Sequence, residues 1–294
     1  MDKVSLALQL RLQATSRLLL THALEHALNE AADETDILQT IVNMQAAMEL
    51  YSKLYLLRRN GWRSIVDSKL HSRAEPDLLA DIEAGNIRTV QFWKSRDLVS
   101  ESIYLDEDDR RLLDEFQGLR NQLMHLGLVQ PSKDILNQAI WLLVRVFHQL
   151  EWTEALSHRD KYFSNSLKAF LGARLFERLV TRSSYVAEAV DRAYDAQLGD
   201  SVRYCLECGN EAMVENDEEL LCFVCAFRAP SYAIGFIDCG GCGTEDCVAY
   251  DKLNVGRADQ TGKCCHCRRL VEVSRCKECT SDFAIRSGCA YCSQ

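Results

Sequence analysis

Cysteine is the residue of this 294-residue chain whose spacing most clearly indicates chemistry. All fourteen cysteines lie between Cys205 and Cys292, and twelve of them form six Cys-x-x-Cys pairs. In such a pair two thiolates can bind one metal ion while backbone amides of the turn hydrogen-bond the sulfurs, so each pair supplies half of a tetrahedral site. Six pairs therefore predict three four-cysteine metal sites. The predicted ligands are Cys205, Cys208, Cys222, Cys225, Cys239, Cys242, Cys264, Cys267, Cys276, Cys279, Cys289 and Cys292.

Joining neighbouring pairs leaves 13, 21 and 9 residues between the two halves of the three sites. Loops of those lengths suit zinc ribbons, although an interleaved cross-brace among the last four pairs also remains open. Cys247 and Cys265 stand outside the pairs. Cys264 is preferred to Cys265 as a ligand because it keeps the two-residue gap to Cys267, and His266 is expected to face solvent.

Disulfide bonding is the alternative use of so many cysteines, as in small secreted scaffolds. The N-terminal residues show no basic segment followed by a long apolar core, and no stretch approaches the roughly eighteen apolar residues of a membrane span. We therefore expect a cytoplasmic protein with no membrane contact and with reduced thiols. This favours three structural zinc ions, with iron–sulfur or redox pairs as the remaining alternatives. Because four thiolates close the coordination shell, the ions are expected to shape a surface and to perform no chemistry.

The region from residue 201 to 294 resembles a chain of zinc ribbons. The resemblance rests on Cys205-Leu-Glu-Cys208-Gly209 and Cys239-Gly-Gly-Cys242-Gly243, in which glycine follows the second cysteine. Glycine tolerates the positive φ that closes a metal-binding knuckle. The region has few large apolar side chains, so we expect the metal ions to hold a small β-rich structure together.

Residues 1–200 differ in kind, and we expect them to form an all-α bundle that precedes the ribbons. They contain no cysteine, and their apolar residues recur three and four apart. Two hundred residues give ample core for five or six up-and-down helices. Thr35 or Asp36 is the expected N-cap of the second helix, Gly61 its end, and 85–105 an irregular crossover. The predicted helices span Lys3–Asn29, Asp33–Asn60, Pro76–Ala84, Glu107–Leu126, Lys133–Leu156 and Tyr162–Ala196.

The predicted helix Glu107–Leu126 carries a second set of residues that could do chemistry. Its leucines and Phe116 recur at the spacing of a buried stripe. On an ideal helical wheel, Asn121 and His125 lie nearly opposite that stripe and Arg120 flanks it. Asn121 and His125 can touch, whereas Arg120 and His125 would meet through the long arginine stem or across a subunit interface. These three residues are therefore candidate catalytic residues.

At these positions the chain resembles the HEPN superfamily of small helical bundles. Its ribonuclease members carry Arg-x4–6-His, commonly with a polar residue directly after the arginine, and Arg120-Asn121-Gln-Leu-Met-His125 fits that form. The resemblance implies a homodimer in which both motifs line one cleft and RNA is cut without a metal ion. It makes His125 the general acid or base, Arg120 the holder of the scissile phosphate and Asn121 an orienting residue. The implied products carry a 2′,3′-cyclic phosphate and a 5′-hydroxyl.

The resemblance further implies a function in a bacterial defence or toxin system. Arginine–histidine spacing alone is not specific, because Arg17 and His22 repeat it; leucines fill that gap, and we interpret the pair as structural. An amphipathic helix with an ordinary polar face is the alternative to a catalytic site. The corresponding alternative function is a non-catalytic dimeric scaffold whose ribbons bind protein or nucleic acid.

Charge argues against a non-specific polyanion binder. The formal net charge is −9; residues 1–200 carry 24 basic and 29 acidic groups, and residues 201–294 carry 10 and 14. The local exception is 257–277, where six basic residues face only Asp259 and Glu272. This segment could guide RNA to the helical cleft, or the ribbons could instead recognise a protein partner or inhibitor. The six basic residues are Arg257, Lys263, Arg268, Arg269, Arg275 and Lys277.

Overall fold

Two compact units make up the chain. The computed structural model describes residues 2–101, 103, 105, 107–126, 134–147, 166–197, 202–216, 219–255 and 260–292. Its contacts group Met1–Glu154 and Ala155–Gln294 separately, whereas the sequence placed the division after residue 200. The difference arises because the helices between residues 166 and 197 pack with the cysteine-rich sheets. Periodicity shows that a helix has an apolar face but not which partner covers it.

Helices dominate the first unit, as predicted. Where the structure describes them, none is long and apolar enough to cross a membrane. Two short 3₁₀ turns, Trp62–Ser64 and Ser68–Leu70, follow the second helix. The helices are α1 Lys3–Ala27, α2 Glu34–Asn60, α3 Glu75–Ala84, α4 Phe92–Ser100, α5 Glu107–Leu126 and α6 Ile135–Leu142, which continues as a π-helical turn over Leu143–Phe147.

The core of the first unit lies between α1 and α2, which pack along their length. Leu24 of α1 and Ile41 and Leu54 of α2 are fully buried. The N-cap of α2 is Asp33, not Thr35 or Asp36: its side chain accepts from Asp36 N at 3.0 Å, while the Asp36 carboxylate accepts from Asp33 N at 3.1 Å. This reciprocal capping box satisfies two amides that the first turn leaves without partners.

One segment of the first unit differs from the sequence prediction, and the ends of one predicted helix lie outside the described residues. The segment 85–105 was expected to be irregular, yet it contains α4, which buries Phe92, Ser95 and Val99 on one face. Only two of those three residues are apolar, so the helix gives a weak periodic signal. The predicted helix Lys133–Leu156 begins as α6, and its part beyond residue 147 lies outside the described residues.

Two more helices open the described part of the second unit. These are α7 Ser166–Thr181, interrupted at Gly172 (φ 73°), and α8 Ser183–Gln197. The predicted single helix Tyr162–Ala196 is therefore divided. Helix α8 packs along the first sheet, burying Tyr185, Ala189 and Ala193, which recur at the i, i+4 spacing of one helix face.

Two antiparallel sheets follow, each in sequential strand order. This confirms the predicted β-rich region with cysteine clusters. Short strands alternate with tight turns, and the cysteines lie at the strand ends and in those turns. The first sheet contains β1 Arg203–Tyr204, β2 Glu211–Asn216, β3 Glu219–Cys222 and β4 Arg228–Pro230. The second contains β5 Ile234–Ile237, β6 Val248–Asp251, β7 Gln260–Cys264, β8 Leu270–Arg275 and β9 Asp282–Ala284.

Candidate metal centres and the Arg120–His125 helix

Three groups of four cysteines bring their sulfurs together in the second unit. Neighbouring Sγ atoms lie 3.4 to 3.9 Å apart, far from the roughly 2.0 Å of a disulfide bond. Four thiolates at about 2.3 Å from a tetrahedral zinc ion would lie about 3.8 Å from one another. Each group could therefore hold one metal ion. The groups whose Sγ atoms all lie within 4.8 Å of one another are Cys205/Cys208/Cys222/Cys225, Cys239/Cys242/Cys247/Cys264 and Cys276/Cys279/Cys289/Cys292.

The first centre joins the turn after β1 to the turn after β3. Cys205 Sγ lies 3.7 Å from Cys225 Sγ, and Cys208 Sγ lies 3.7 Å from Cys222 Sγ. All four thiols are buried. Burial raises the pKa of Cys205 and Cys225, whereas hydrogen bonds from the neighbouring thiols, Cys205 first, lower the pKa of Cys208. A bound dication would stabilise the thiolate form of all four, since it is the largest local charge.

Tyr185 of α8 links this centre to the helices of the second unit through hydrogen bonds. Its ring is 1% exposed, and its hydroxyl donates to Val224 O at 3.0 Å, with Phe223 O at 3.3 Å. Both carbonyls lie inside the Cys222–Cys225 turn. Burial raises the pKa of Tyr185 well above its usual value, with the thiols of the centre adding to the effect. The hydroxyl therefore stays protonated and acts as a donor.

Four of the cysteine pairs share one backbone arrangement. At Cys205 the amide donates to Asn210 O at 2.9 Å, and Gly209 N donates back to Cys205 O at 2.8 Å. The same two hydrogen bonds recur in the turns that begin at Cys222, Cys239 and Cys276. Each turn is thus a closed loop that presents two sulfurs on one side.

The residue after the second cysteine has positive φ in all five turns for which that residue is described. Gly209 (73°) and Gly243 (74°) confirm the prediction from the sequence. Ala226 (56°), Arg268 (63°) and Thr280 (61°) adopt the same conformation without being glycine. A side chain in this region is uncommon and costs about 1 kcal/mol. A glycine in the sequence therefore identifies two of the turns. In three others the folded structure imposes positive φ on a residue that is not glycine.

Hydroxyl residues two positions after the pair stabilise thiolate in two centres. Thr244 Oγ1 lies 3.4 Å from Cys242 Sγ, and hydrogen bonds from the Thr244 hydroxyl and amide lower the pKa of Cys242 to about 6. Ser281 likewise lowers the pKa of Cys279 to about 6. A thiolate at neutral pH is the form that binds a metal ion. Neither hydroxyl was singled out from the sequence, although both occur at the same offset.

The third centre lies at the end of the described chain. Cys276 Sγ is 3.7 Å from Cys292 Sγ, and Cys279 Sγ is 3.4 Å from Cys289 Sγ. Neighbouring pairs thus share a centre here, and the interleaved cross-brace does not occur among these sulfurs. The Cys242 and Cys292 side chains are exposed, so the second and third centres are more open than the first.

Five cysteines, not four, surround the second centre. Cys242 Sγ lies 3.7 Å from Cys264 Sγ, and Cys239 Sγ lies 3.9 Å from Cys267 Sγ, as the pairing from the sequence requires. Cys247 Sγ lies 3.4 Å from Cys264 Sγ as well. The sequence pattern did not assign Cys247 to a metal centre, because Cys247 belongs to no Cys-x-x-Cys pair.

Cys265 has a different environment from Cys247. Its Sγ lies 3.5 Å from Cys205 O, and burial raises its pKa to about 12. The same turn adds a second link, since Arg268 Nη1 donates to Cys208 O at 3.2 Å. Cys265 and Arg268 therefore join the first and second ribbons. His266 is exposed, as predicted.

The predicted catalytic residues lie in the last two turns of α5. Leu112 and Phe116 bury the side of the helix opposite Asn121 and His125, and Arg120 lies at the edge of that buried side. Arg120 is half-buried, whereas Asn121 and His125 are exposed. Arg120 Nη1 donates to Asn121 Oδ1 at 3.4 Å. Within the described part of the chain, no hydrogen bond joins either of them to His125.

The basic residues of 257–277 divide into those held internally and those facing solvent. Arg275 pairs with Asp282 through two hydrogen bonds of 2.7 and 3.1 Å, and Arg268 binds Cys208 O. Arg257 lies outside the described residues. Two of the six basic residues therefore bind other groups of the protein, which leaves fewer of them to form a basic surface than the sequence predicts.

A groove of about 830 Å³ lies beside the second centre. Arg269 and Arg286 line it from two different turns, together with Glu272 and the exposed Leu270, and Cys239 forms part of its floor. The sequence did not connect Arg286 with Arg269, because seventeen positions separate them and only strand pairing brings them close. Comparison of the chain with protein-family models, curated proteins and solved structures found no match.

Proposed function

We propose that this protein is a metal-independent endoribonuclease of the HEPN type. It acts as a cytoplasmic homodimer with a cleft formed by two copies of Arg120, Asn121 and His125. Its three cysteine centres hold structural zinc, the ion that four-thiolate sites favour. Its ribbons recognise the RNA. A defence or toxin function follows from the resemblance to the HEPN superfamily.

The observation that carries the proposal is the placement of the polar trio at one end of α5. Leu112 and Phe116 fix the buried side of the helix, and the three polar residues are left available to a ligand or a second protomer. Asn121 accepts a hydrogen bond from Arg120, which restrains the guanidinium. A restrained, planar fork of donors suits a phosphate diester.

The chemistry divides between the two charged residues. The imidazole of His125 takes the proton of the ribose 2′-hydroxyl. The 2′-oxygen then attacks phosphorus, and the bond from phosphorus to the 5′-oxygen breaks. The leaving oxygen receives a proton from the second histidine of the cleft. Arg120 stabilises the charge that develops on the phosphate oxygens.

The groove beside the second centre is the proposed RNA contact of the ribbons. Arg269 and Arg286 reach it with no ion pair to another described residue. Their guanidinium groups can bind phosphate or stack on bases. Changing both to glutamate should weaken RNA binding and flatten its salt dependence.

The test is RNA cleavage by the purified full-length protein. Total RNA is incubated with wild type, His125→Ala and Arg120→Ala, with and without EDTA added at mixing, and the ends are analysed. The wild type should give 2′,3′-cyclic phosphate ends with or without EDTA. Each variant should lose at least about 100-fold in rate, the usual contribution of a general acid or base for His125 and of a group that stabilises transition-state charge for Arg120.

The matched control is the double variant Arg17→Ala/His22→Ala. This pair has the same spacing on α1, and both side chains are exposed. It should cut like wild type. Absence of cyclic phosphate ends, or equal cleavage by His125→Ala, would contradict the nuclease assignment.

A non-catalytic dimeric scaffold is the second candidate function. It is favoured by exposed apolar side chains on the ribbons, where Leu270 is 74% and Tyr291 79% exposed. Such residues are enriched where proteins bind other proteins. The same assay separates the candidates, because a scaffold leaves RNA intact. A size measurement tests the dimer that both require.

A further inference from the structure

The second centre is the one that gathers more thiols than a tetrahedral ion can bind. The first and third centres each contain two Cys-x-x-Cys pairs and no fifth sulfur among the described residues. The second contains two pairs and also Cys247. A four-coordinate ion therefore leaves one thiol of this centre unbound.

Cys247 is the thiol that the two Cys-x-x-Cys pairs leave over, although its Sγ, unlike that of Cys267, belongs to the set of four sulfurs that all lie within 4.8 Å of one another. The two edges Cys239–Cys267 and Cys242–Cys264 measure 3.9 and 3.7 Å, close to the separation expected around a tetrahedral ion. Cys267 N also donates to Cys264 Sγ at 3.3 Å, as in a metal-binding turn. Cys247 lies closer to Cys264, at 3.4 Å.

The backbone holds Cys247 against the centre. Its carbonyl accepts a hydrogen bond from Cys265 N at 2.8 Å, which fixes it beside the second pair. Its side chain is fully buried, and its Sγ lies 3.1 Å from Thr244 O. The sulfur therefore cannot turn away to solvent, and it remains in contact with Cys264.

Small oxidants can reach the edge of this centre from two sides, whereas Cys247 and Cys264 are themselves buried. Cys242 is exposed, and Cys239 lines the groove of about 830 Å³. The first centre differs, because all four of its thiols are buried. Access, together with a spare thiol in contact with a ligand, is the arrangement that favours disulfide formation.

We propose that the second centre is a peroxide-sensitive metal site in which Cys247 is the resolving thiol. One sulfur of the Cys247–Cys264 pair is oxidised by hydrogen peroxide to a sulfenic acid, with water as the other product. The second sulfur attacks it, forms the S–S bond and displaces a second water. The Cys264 thiolate, the Cys247 thiol, one peroxide and one proton from solvent thus give one disulfide and two waters. Loss of the Cys264 ligand releases the ion as a dication.

The experiment measures metal release from the full-length protein loaded with three zinc ions. Peroxide is added in small excess, and a chromogenic zinc chelator follows the release. One ion of the three should leave at least tenfold faster than the others, with the loss of two thiols. Peptide mass mapping should find the Cys247–Cys264 disulfide.

Two variants make the test specific. Cys247→Ser should still bind three ions and should lose the fast release, because serine cannot form the disulfide. Cys265→Ser is the matched control, since Cys265 is a neighbouring unpaired cysteine whose sulfur contacts backbone carbonyls; it should keep the fast release.

Three outcomes would overturn the proposal. These are equal release rates for all three ions in wild type, an unchanged fast phase in Cys247→Ser, and binding of only two ions by that variant, which would make Cys247 an obligatory ligand. The disulfide map tests the same step in the unaltered protein. None of these measurements depends on RNA cleavage. A result that contradicts this inference would therefore leave the proposed nuclease function untouched, and the reverse also holds.

Discussion

The two units reach a fixed structure by different means. In the helical unit, large apolar side chains such as Leu24, Ile41 and Leu54 are fully buried between α1 and α2. In the second sheet, the buried cluster consists of three cysteines, three valines and Tyr250. When buried thiols bind a metal ion, the binding free energy stabilises the folded state. Burial of leucines stabilises the folded state through the hydrophobic effect. Stability of the two units should therefore respond to different perturbations.

Removal of the metal ions should produce the largest difference between the units. Structural zinc contributes about 10–16 kcal/mol of apparent binding free energy in small metal-bound domains. We expect prolonged chelation to abolish the amide NMR dispersion of residues 202–292, while the circular dichroism of the first unit's helices is retained. Readdition of zinc should restore the sheets.

Helices α7 and α8 provide a control for the circular dichroism measurement after chelation. Both helices belong to the second unit, so part of the helical signal should be lost with the sheets. Unfolding of α1 and α2 on chelation would contradict independent stabilisation of the two units.

Leu54→Ala should destabilise the first unit and spare the metal centres of the second. The effect should be smaller than that of metal removal. Leu54 is fully buried in α2, and deleting a buried leucine side chain costs about 2–5 kcal/mol. Urea unfolding of the helical signal should shift by that amount, while metal analysis should still find the wild-type ion content. Leu18→Ala is the matched control, because Leu18 is 69% exposed and should change the free energy of unfolding by less than about 0.5 kcal/mol.

Tyr185→Phe should give the smallest effect, confined to the junction of α8 with the first centre. The hydroxyl donates into the Cys222–Cys225 turn, and its loss should cost about 1–3 kcal/mol because it leaves a buried carbonyl without that donor. We expect faster transfer of one ion to a chelator and a lower melting temperature of the second unit. Tyr194→Phe, whose hydroxyl donates to Glu211 on the surface, should leave both unchanged.

The sequence predicts what depends on local pattern. Gly61 ends α2 with φ 76°, as its position after the apolar series indicates. Gly209 and Gly243 mark two metal-binding turns. These features are local, since a few neighbouring residues determine the backbone conformation.

Features that depend on tertiary contacts are not predictable in the same way. Cys247 belongs to no local pair, and only the strand order of the second sheet brings it to the second centre. Ala226 and Thr280 adopt positive φ against their intrinsic preference, because the turn is closed by hydrogen bonds on both sides. The partner of α8 likewise could not be identified from its periodicity.

The two glycines that follow metal-binding pairs are not equally replaceable. At Gly243 no atom would meet an added Cβ within 4 Å, so only the backbone conformation restricts substitution, and asparagine could occupy the position. At Gly209 an added Cβ would run into the guanidinium of Arg268, the group that binds Cys208 O. Any side chain at Gly209 would therefore displace the link between ribbons. Among natural variants of this chain, Gly243 should vary while Gly209 and Arg268 are retained or change together.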